Sequence, residues 1–578
     1  MEAKDKAGSS GNRAKARTKT AKPAKAARAS RAKTSKTTKT TKTTKRQRRA
    51  SVVTPSTPEP TASPPPLIAA IDVGSRALRM SVGEVLADGT TRRLETLQAP
   101  VAIGYDTFVR GRIRALTTEA VVRTLSDFVN VVGAYGIKPP EIWTVATTAV
   151  RDARNREVFL ERVEQQTGLE VHVLDAIEET RLAYQLVRHL LGERFGSGTN
   201  MLLALGAGGT QIVVQTDGEI ELAETRKLGL MRLIQTHGLP EHDVSDSVRA
   251  FLRKAIGSIG RVHDLSRVGE VIVINNDVYR VVAEVGKPTP IDGGLELTSG
   301  AVDKVVALVD ASSNDELVDR YNVDHATVES ARMALAELDV FRELAHNAKK
   351  VVLPASSMLD SLLLDRRNAL EGGADAPVAS RQSEAAAWAV GRRYRIDIDH
   401  AAKVRELALQ LFDGIRTHST LADRSRTLLA VAAILHDIGI FVSTTNHEVH
   451  GGYLIRNSQI MGLSRSEVER VALLVRFHRR AMPSMGHPEL RNLRSAQRVE
   501  VLKLTSLLRV ADSLDADDRQ LIESVTVEMT PEAMHFRAQT RVGDREGFAA
   551  IRRSFKEKAD LCEELFGVKA RLTEVLAT

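Results

Sequence analysis

Residues 202–214 read LLALGAGGTQIVV, and with their flanks they form the longer stretch MLLALGAGGTQIVVQTDGEIELAETRKL (201–228). An apolar run, a glycine turn and a second apolar run predict a β-hairpin with small residues at its tip. A turn of this kind brings backbone N–H groups close to a phosphate. The same pattern stands earlier in the chain, in LIAAIDVGSRALRMSVGEV. There Ala69 to Val73 is one strand, Gly74 the turn and Leu78 to Val82 the second strand. The elements after each hairpin also recur. The first hairpin leads into a helix with a Thr cap (TTEAVVRTLSDFVNVVGAYGI), a strand (EIWTVATTAV) and a helix closed by Gly168 (NREVFLERVEQQTG). A strand (LEVHVLDA) and a helix with an acidic first turn (IEETRLAYQLVRHLL) complete the unit. The second hairpin leads into a helix (HDVSDSVRAFLRKAIGSI), a strand (VGEVIVINNDVYRVVAEV) and more helix. This duplication predicts two related α/β lobes with a cleft between them.

From about Ser380 the strands stop, and AAKVRELALQLFDGIR, RTLLAVAAILHDIGIF and RSEVERVALLVRFHRRAM are amphipathic helices of a separate all-α domain. The final stretch alternates in SVTVEMTPEAMHFRAQ and then reads as a helix, a small α+β unit. At the other end, residues 1–65 are low in complexity and hold almost nothing to bury, so disorder is expected there. Residues 1–50 contain 18 Lys+Arg against 2 Asp+Glu, leaving 64 against 71 in the remainder, so the folded body is net −7. The net charge of +9 is therefore a property of the tail. Such a tail reads either as a solubilising extension or as an electrostatic arm for a polyanion: polyphosphate, RNA or DNA.

The 578 residues suffice for several domains, and 43% hydrophobic content supports real cores. A single cysteine, Cys562, excludes a disulfide framework and a Cys-based zinc site, and fits a reducing compartment. No run reaches the roughly 18 apolar residues of a membrane helix. The charged N-terminus lacks an apolar h-region, so no secretory signal is read and a cytoplasmic location is expected.

Four stretches, AAIDVGSRALRMSV, VATTAVRDARN, VHVLDAIEETRLAYQLV and LLALGAGGTQIVV, resemble in order and spacing the exopolyphosphatase/guanosine pentaphosphate phosphohydrolase (Ppx/GppA) family. ADLCEELFGVKARL near the end resembles that family's closing helix. The resemblance implies two ribonuclease-H-like lobes of the actin/hsp70/sugar-kinase superfold. It divides the chain into a tail and Pro-rich linker (1–65), lobes I (66–198) and II (199–375), a helical HD-type domain (380–520) and a small α+β unit (521–578). In the first phosphate loop Asp72, Gly74 and Ser75 match the family pattern, and Arg76 and Ala77 replace Asn and Ser. Glu179 takes the place of the general base, and Arg151 that of an arginine near the phosphates. In the second loop Gly206, Gly208 and Thr210 match, whereas Ala204, Gly209 and Gln211 depart. A later small-residue loop is replaced by INNDVYR. Asp72, Gly74, Ser75, Arg76, Gly206, Gly208, Gly209 and Thr210 are thus the expected phosphate-binding set, with Mg²⁺ as cofactor. Without the resemblance, Glu178 and Glu179 read as an acidic first turn favourable to the helix dipole.

The helical domain, with HAAKVRELALQLFD, ILHDIGIF, NHEVHGGYLI, VRFHRRAMP and LLRVADSLDADD in order, resembles an HD-type phosphohydrolase. That implies one metal on His400, His436, Asp437 and Asp512, and a second on His450 and His478. Mixed imidazole and carboxylate ligands suit Mn, Fe, Ni or Zn. Three functions are compatible with these motifs: a hydrolase releasing orthophosphate from polyphosphate or guanosine pentaphosphate, with Glu179 as base and Arg151 as clamp; an HD metal phosphohydrolase acting on a nucleotide, with the lobes as sensor; or a polyphosphate- or nucleotide-binding regulator of weakened activity. A homodimer is implied by the resemblance alone.

Overall fold

The computed structural model describes residues 65–576 apart from 89, 230, 234–245, 322, 371–375, 420, 480, 517 and 541–544. The basic tail, on which the disorder and polyanion-arm expectations rest, lies outside the described residues.

The two hairpins head two sheets of one topology. The first sheet runs β3-β2-β1-β4-β5, from β1 (Leu67–Val73), β2 (Ala77–Val85), β3 (Thr91–Pro100), β4 (Trp143–Ala146) and β5 (Val171–Val173). Its first three strands are antiparallel, and β4 and β5 run parallel to β1. In the second sheet β6 (Thr199–Leu205), β7 (Thr210–Thr216), β8 (Glu219–Arg226), β9 (Glu270–Ile274) and β12 (Lys350–Pro354) repeat this as β8-β7-β6-β9-β12. Strands β10 (Thr289–Ile291) and β11 (Gly294–Thr298) extend its far edge. Asp72 in β1 and Ala204 in β6 occupy equivalent places at strand ends, so the duplication places the two glycine turns facing one cleft.

Several expected elements differ in detail. The stretch EIWTVATTAV yields a strand of four residues and then a helical turn, Thr148–Arg151. INNDVYR opens a helix, Asn276–Val285, and does not continue β9. Val278, Val281 and Val282 repeat at helical spacing and are buried. Asn275 caps this helix by accepting from the Val278 N–H at 2.8 Å. The helix Ala115–Gly133 has Arg114 at its N-cap with no side-chain cap bond, so the expected Thr cap is not formed. The C-terminal unit ends in a strand, β15 (Lys569–Leu576), after the short helix Asp560–Phe566. Strand β15 pairs in parallel with β14 (Ala533–Thr540), which also pairs with β13 (Ile522–Met529).

The helix Ala176–Gly196 leaves the first sheet and packs on one face of the second. Tyr184, Val187, Leu191 and Phe195 meet Leu202, Val213 and Ile220 there. The helices Asp246–Val262, Asn276–Val285 and His325–Leu344 cover the other face. The helix Met358–Leu370, within the range given to lobe II, returns to the first sheet: Leu359, Leu362 and Leu363 pack with Ile68, Ala70 and Val145. From Ala376 onward helices form the next domain, and the first of them, Ala376–Arg393, lies against the edge strand β8. No described helix is long and apolar enough to cross a membrane.

Candidate active site and candidate metal centre

Between the lobes lies a cleft of about 670 Å³ lined by both glycine turns, Asp72, Glu179, Gln211 and Glu337. Local structure fixes Glu179. Asp175 caps the helix Ala176–Gly196, accepting from the N–H groups of Ile177 at 3.1 Å and Glu178 at 2.8 Å. This sets Glu179 in the first turn on the inward face, only 4% exposed, while Glu178 turns away to Arg181. Gln211 Nε2 donates to one Glu179 oxygen at 2.9 Å, and Arg151 pairs with the other. Burial pushes the Glu179 carboxyl up to about 7, against the opposing charge of Arg151 and with a further push from Asp72. A buried carboxylate that can bind or release a proton near neutrality is suited to general-base work.

Arg151 is held beside Glu179 by several bonds. Its guanidinium donates to the Leu174 carbonyl at 2.6 Å and the Thr148 hydroxyl at 3.0 Å, besides pairing with Glu179. It is absent from the lining of the cleft. Thr148, to which Arg151 donates, does line the cleft, and the guanidinium stands directly behind Glu179. Arg76 lines the cleft and reaches across it to lobe II, pairing with Asp277 at 3.4 Å and donating to the Ala326 carbonyl at 3.0 Å. Asp277 belongs to the INNDVYR stretch, so two departures from the family pattern meet each other.

Asp72 and Ser75 are buried and line the cleft with Gly74. Burial raises the pKa of Asp72, and Arg79 at 3.3 Å opposes the shift. In the second turn the Gly206 N–H bonds the Gly209 carbonyl at 3.0 Å. The N–H groups of Gly208 and Gly209 have no hydrogen bond among the described residues, and the backbone at Gly229 packs against them. A Cβ at Gly208 would lie 2.7 Å from Thr148 of the other lobe, so only glycine allows this approach. Thr210 donates to Glu337 at 2.6 Å. Sequence reasoning missed Glu337, although it shares a helical stripe with Met333, Ala334 and Phe341, which would have marked it as inward-facing.

The helical domain gathers a second constellation. His436 ends the helix Asp423–Leu435, and Asp437 starts a 3₁₀ turn. Gly439 in that turn packs so closely on the His447 backbone that a Cβ there would clash with the His447 carbonyl, and the approach brings Asp437 beside His447. The Nδ1 of His436 lies 2.8 Å from the Ala433 carbonyl, that of His478 2.7 Å from Val475, and that of His447 3.3 Å from Thr444. His400 Nδ1 lies 2.9 Å from an Asp515 oxygen. Each ring thus has a fixed outer partner and turns Nε2 inward, the orientation metal-binding histidines take.

The inward nitrogens meet in two pairs, His400 with His436 at 3.2 Å and His447 with His478 at 3.4 Å. Two imidazole lone pairs cannot face each other at such distances without a cation or proton between them. Carboxylates supply the charge balance. Burial resists protonation of His400, but Asp515 and Asp512 push it up to about 9. His447 is raised in the same sense by Asp437 against the effect of burial, while burial holds His478 down at about 3. Burial resists ionisation of Asp437, and the surrounding His436, His447 and His478 overcome it and hold its pKa below the usual range.

Two groups of ligand atoms suited to a metal share Asp437: His400, His436 and Asp437, and Asp437, His447 and His478. Asp512 Oδ1 is 3.9 Å from both His400 and His436, and its other oxygen is held by Lys558 of the C-terminal unit. His450, of the expected set, is not brought together with the others. It stands half-buried one turn beyond His447 and belongs to neither group. His447, at the helix start and against the 3₁₀ turn, joins Asp437 and His478 instead.

Two lobes of one topology, closing glycine turns over a buried glutamate, define a member of the actin/hsp70/sugar-kinase superfold built for phosphate chemistry. The chain belongs to the Ppx/GppA phosphatase family: residues 91–265 match that family, and residues 383–543 match Ppx/GppA phosphatase, domain III. It is 24% identical over 457 residues to a guanosine-5'-triphosphate,3'-diphosphate pyrophosphatase of Vibrio atlanticus, covering 77% of this chain and 87% of the relative. Among solved structures it is similar to the Aquifex aeolicus Ppx/GppA family member, at 20% identity and a TM-score of 0.44 over 53% of this chain and 99% of that one. It is also similar to an exopolyphosphatase from Cytophaga hutchinsonii, at 15% identity and a TM-score of 0.47 over 53% and 98%.

Proposed function

We propose that the cleft hydrolyses terminal phosphoanhydride bonds, releasing orthophosphate from guanosine pentaphosphate or from polyphosphate ends, with Glu179 as general base. The observation that carries this reading is the buried Glu179 with its pKa near 7 in a cleft that both glycine turns enter. Glu179 would take the proton of an attacking water while Arg151 and Gln211 hold its carboxylate in place. The N–H groups of Gly208 and Gly209 would donate to phosphate oxygens. Mg²⁺ is typically bound through one or two carboxylates plus substrate phosphates. Asp72 supports that mode, since Arg79 holds its Oδ2 and Oδ1 has no partner among the described residues. When bound there, the ion would supply positive charge to the transferring phosphoryl group. The name of the Vibrio relative favours the guanosine substrate. The test is phosphate release from both substrates with Mg²⁺. Glu179→Gln should lose roughly 10²–10⁴-fold in rate, and full retention would sink the reading.

The converging Nε2 atoms favour a second activity: an HD-type centre holding Mn, Fe, Ni or Zn on His400, His436, Asp437 and Asp512, with His447 and His478 on a second ion, and acting on a nucleotide phosphoester. Purified protein should retain a transition metal that Asp437→Ala loses. Equal, near-zero metal in both proteins would mark the cluster as vestigial.

A further inference from the structure

Glu337 is the buried carboxyl of the cleft that the proposed hydrolysis leaves without a role. It sits on the helix His325–Leu344 and is 4% exposed, yet it lines the cleft beside the second glycine turn. One of its oxygens accepts from the Thr210 hydroxyl at 2.6 Å. The other has no partner among the described residues. Charged side chains of the helices packed around it are engaged elsewhere: Arg249 with Asp310 and Asp339, Arg253 with Glu343, and Arg280 with Asp324. The titratable groups sharing the cleft are Asp72, Glu179, Asp277, Tyr279, Asp324, Asp360 and the arginines Arg76, Arg79, Arg93 and Arg280. None of them sets the protonation of Glu337: burial raises it to about 8, and only the Thr210 hydroxyl opposes.

We propose that Glu337 binds substrate as a neutral acid, donating a hydrogen bond from its free oxygen to a phosphate oxygen seated at the Gly206–Thr210 turn. The proposal rests on the cleft being the hydrolytic site. With Thr210 donating to Oε1, the acidic proton of the neutral carboxyl is carried by the other oxygen, and that arrangement is the one proposed. An ionised carboxylate there would repel a phosphate. A neutral one supplies a donor where the turn offers only main-chain N–H groups, and hydrogen bonds to charged groups are the stronger kind.

The test is calorimetric binding of inorganic tripolyphosphate, at fixed Mg²⁺, to the full chain carrying Glu179→Gln, so that turnover does not interfere. Measurements at pH 6.5 and pH 9 compare this parent with versions that also carry Glu337→Gln or Glu337→Ala. Melting curves check that each protein is folded. Titration of the ligand enters every protein equally, so the differences between proteins are read. The glutamine variant keeps a neutral donor at both values. The parent should lose about tenfold or more in affinity relative to it on going to pH 9, and the alanine variant should bind about tenfold more weakly than either at pH 6.5. Identical pH dependence in parent and glutamine variant would overturn the proposal, as would a glutamine variant binding as weakly as alanine at pH 6.5. Absence of tripolyphosphate binding in every protein would overturn it together with the cleft reading. Retained phosphate release in the Glu179→Gln chain would overturn the cleft reading on its own account.

Discussion

Replacing Glu179 by glutamine is expected to stabilise the fold increasingly as pH rises, even as it removes turnover. In an unfolded chain a glutamate releases its proton near pH 4.5, whereas folded Glu179 holds it to about 7, chiefly through burial. Between those values the native state binds more protons than the unfolded state, so stability falls as pH rises. The slope is about 1.4 kcal/mol per pH unit, and over the interval of about 2.5 units the native protein loses roughly 3 kcal/mol. Above about pH 7 both states have lost the proton and the loss stops growing. Glutamine does not titrate. Its carbonyl can still accept from Arg151, and Gln211 can turn its own amide to present an acceptor to the new NH₂. Whatever the exchange costs is independent of pH, so the signal is the slope of the difference. Urea unfolding at pH 5, 6, 7 and 8 for both proteins should show the glutamine variant gaining about 2–3 kcal/mol over this range. Glu337 contributes the same trend to both and cancels. A difference that stays flat from pH 5 to pH 8 would refute the raised pKa and remove the reason for regarding Glu179 as a base poised near neutrality.

The same ionisation should appear in kinetics: kcat/KM for phosphate release rises through about pH 7 as Glu179 loses its proton, and a profile level between pH 5.5 and 8 would contradict it. Elemental analysis should find less retained metal in His447→Ala than in wild type, with His450→Ala unchanged; the reverse ranking would restore the expected set. Gly208→Ala forces a methyl against Thr148 and should cost roughly 1–3 kcal/mol of stability, read as a lower midpoint in urea. Deleting residues 1–60 should leave the urea midpoint unchanged but weaken polyphosphate binding at low salt and flatten its salt dependence, and equal affinities with parallel slopes would reduce the tail to a solubilising extension.

The duplicated lobes were legible because each hairpin advertises itself twice, by apolar runs and by glycine between them. The helix after β9 was not, because INNDVYRVVAEV continues a β-branched run and only the cap made by Asn275 interrupts it. Glu179 was reachable through its family motif, while the identity of its partners was not: Arg151 could face the cleft or the glutamate, and the choice is made by the Leu174 carbonyl, which the chain brings close only in three dimensions. The clustered histidines were readable as a set but not one by one. His447 and His450 lie a single helical turn apart, and what separates them is the approach of Gly439, a contact between segments with no trace in local spacing.

The return of the helix Met358–Leu370 to the first sheet means that lobe I is not a continuous piece of chain. Its sheet is covered by a helix that follows β12, the last strand of the second sheet among the described residues. A fragment ending at residue 198 would bare Ile68, Ala70 and Val145 where Leu359, Leu362 and Leu363 now sit. Such a strip favours aggregation over an independent fold. Attempts to express, exchange or permute the lobes as modules should therefore cut after Leu370 and not between the two sheets, and a split protein divided at residue 198 would have to be rescued by supplying its second half in trans.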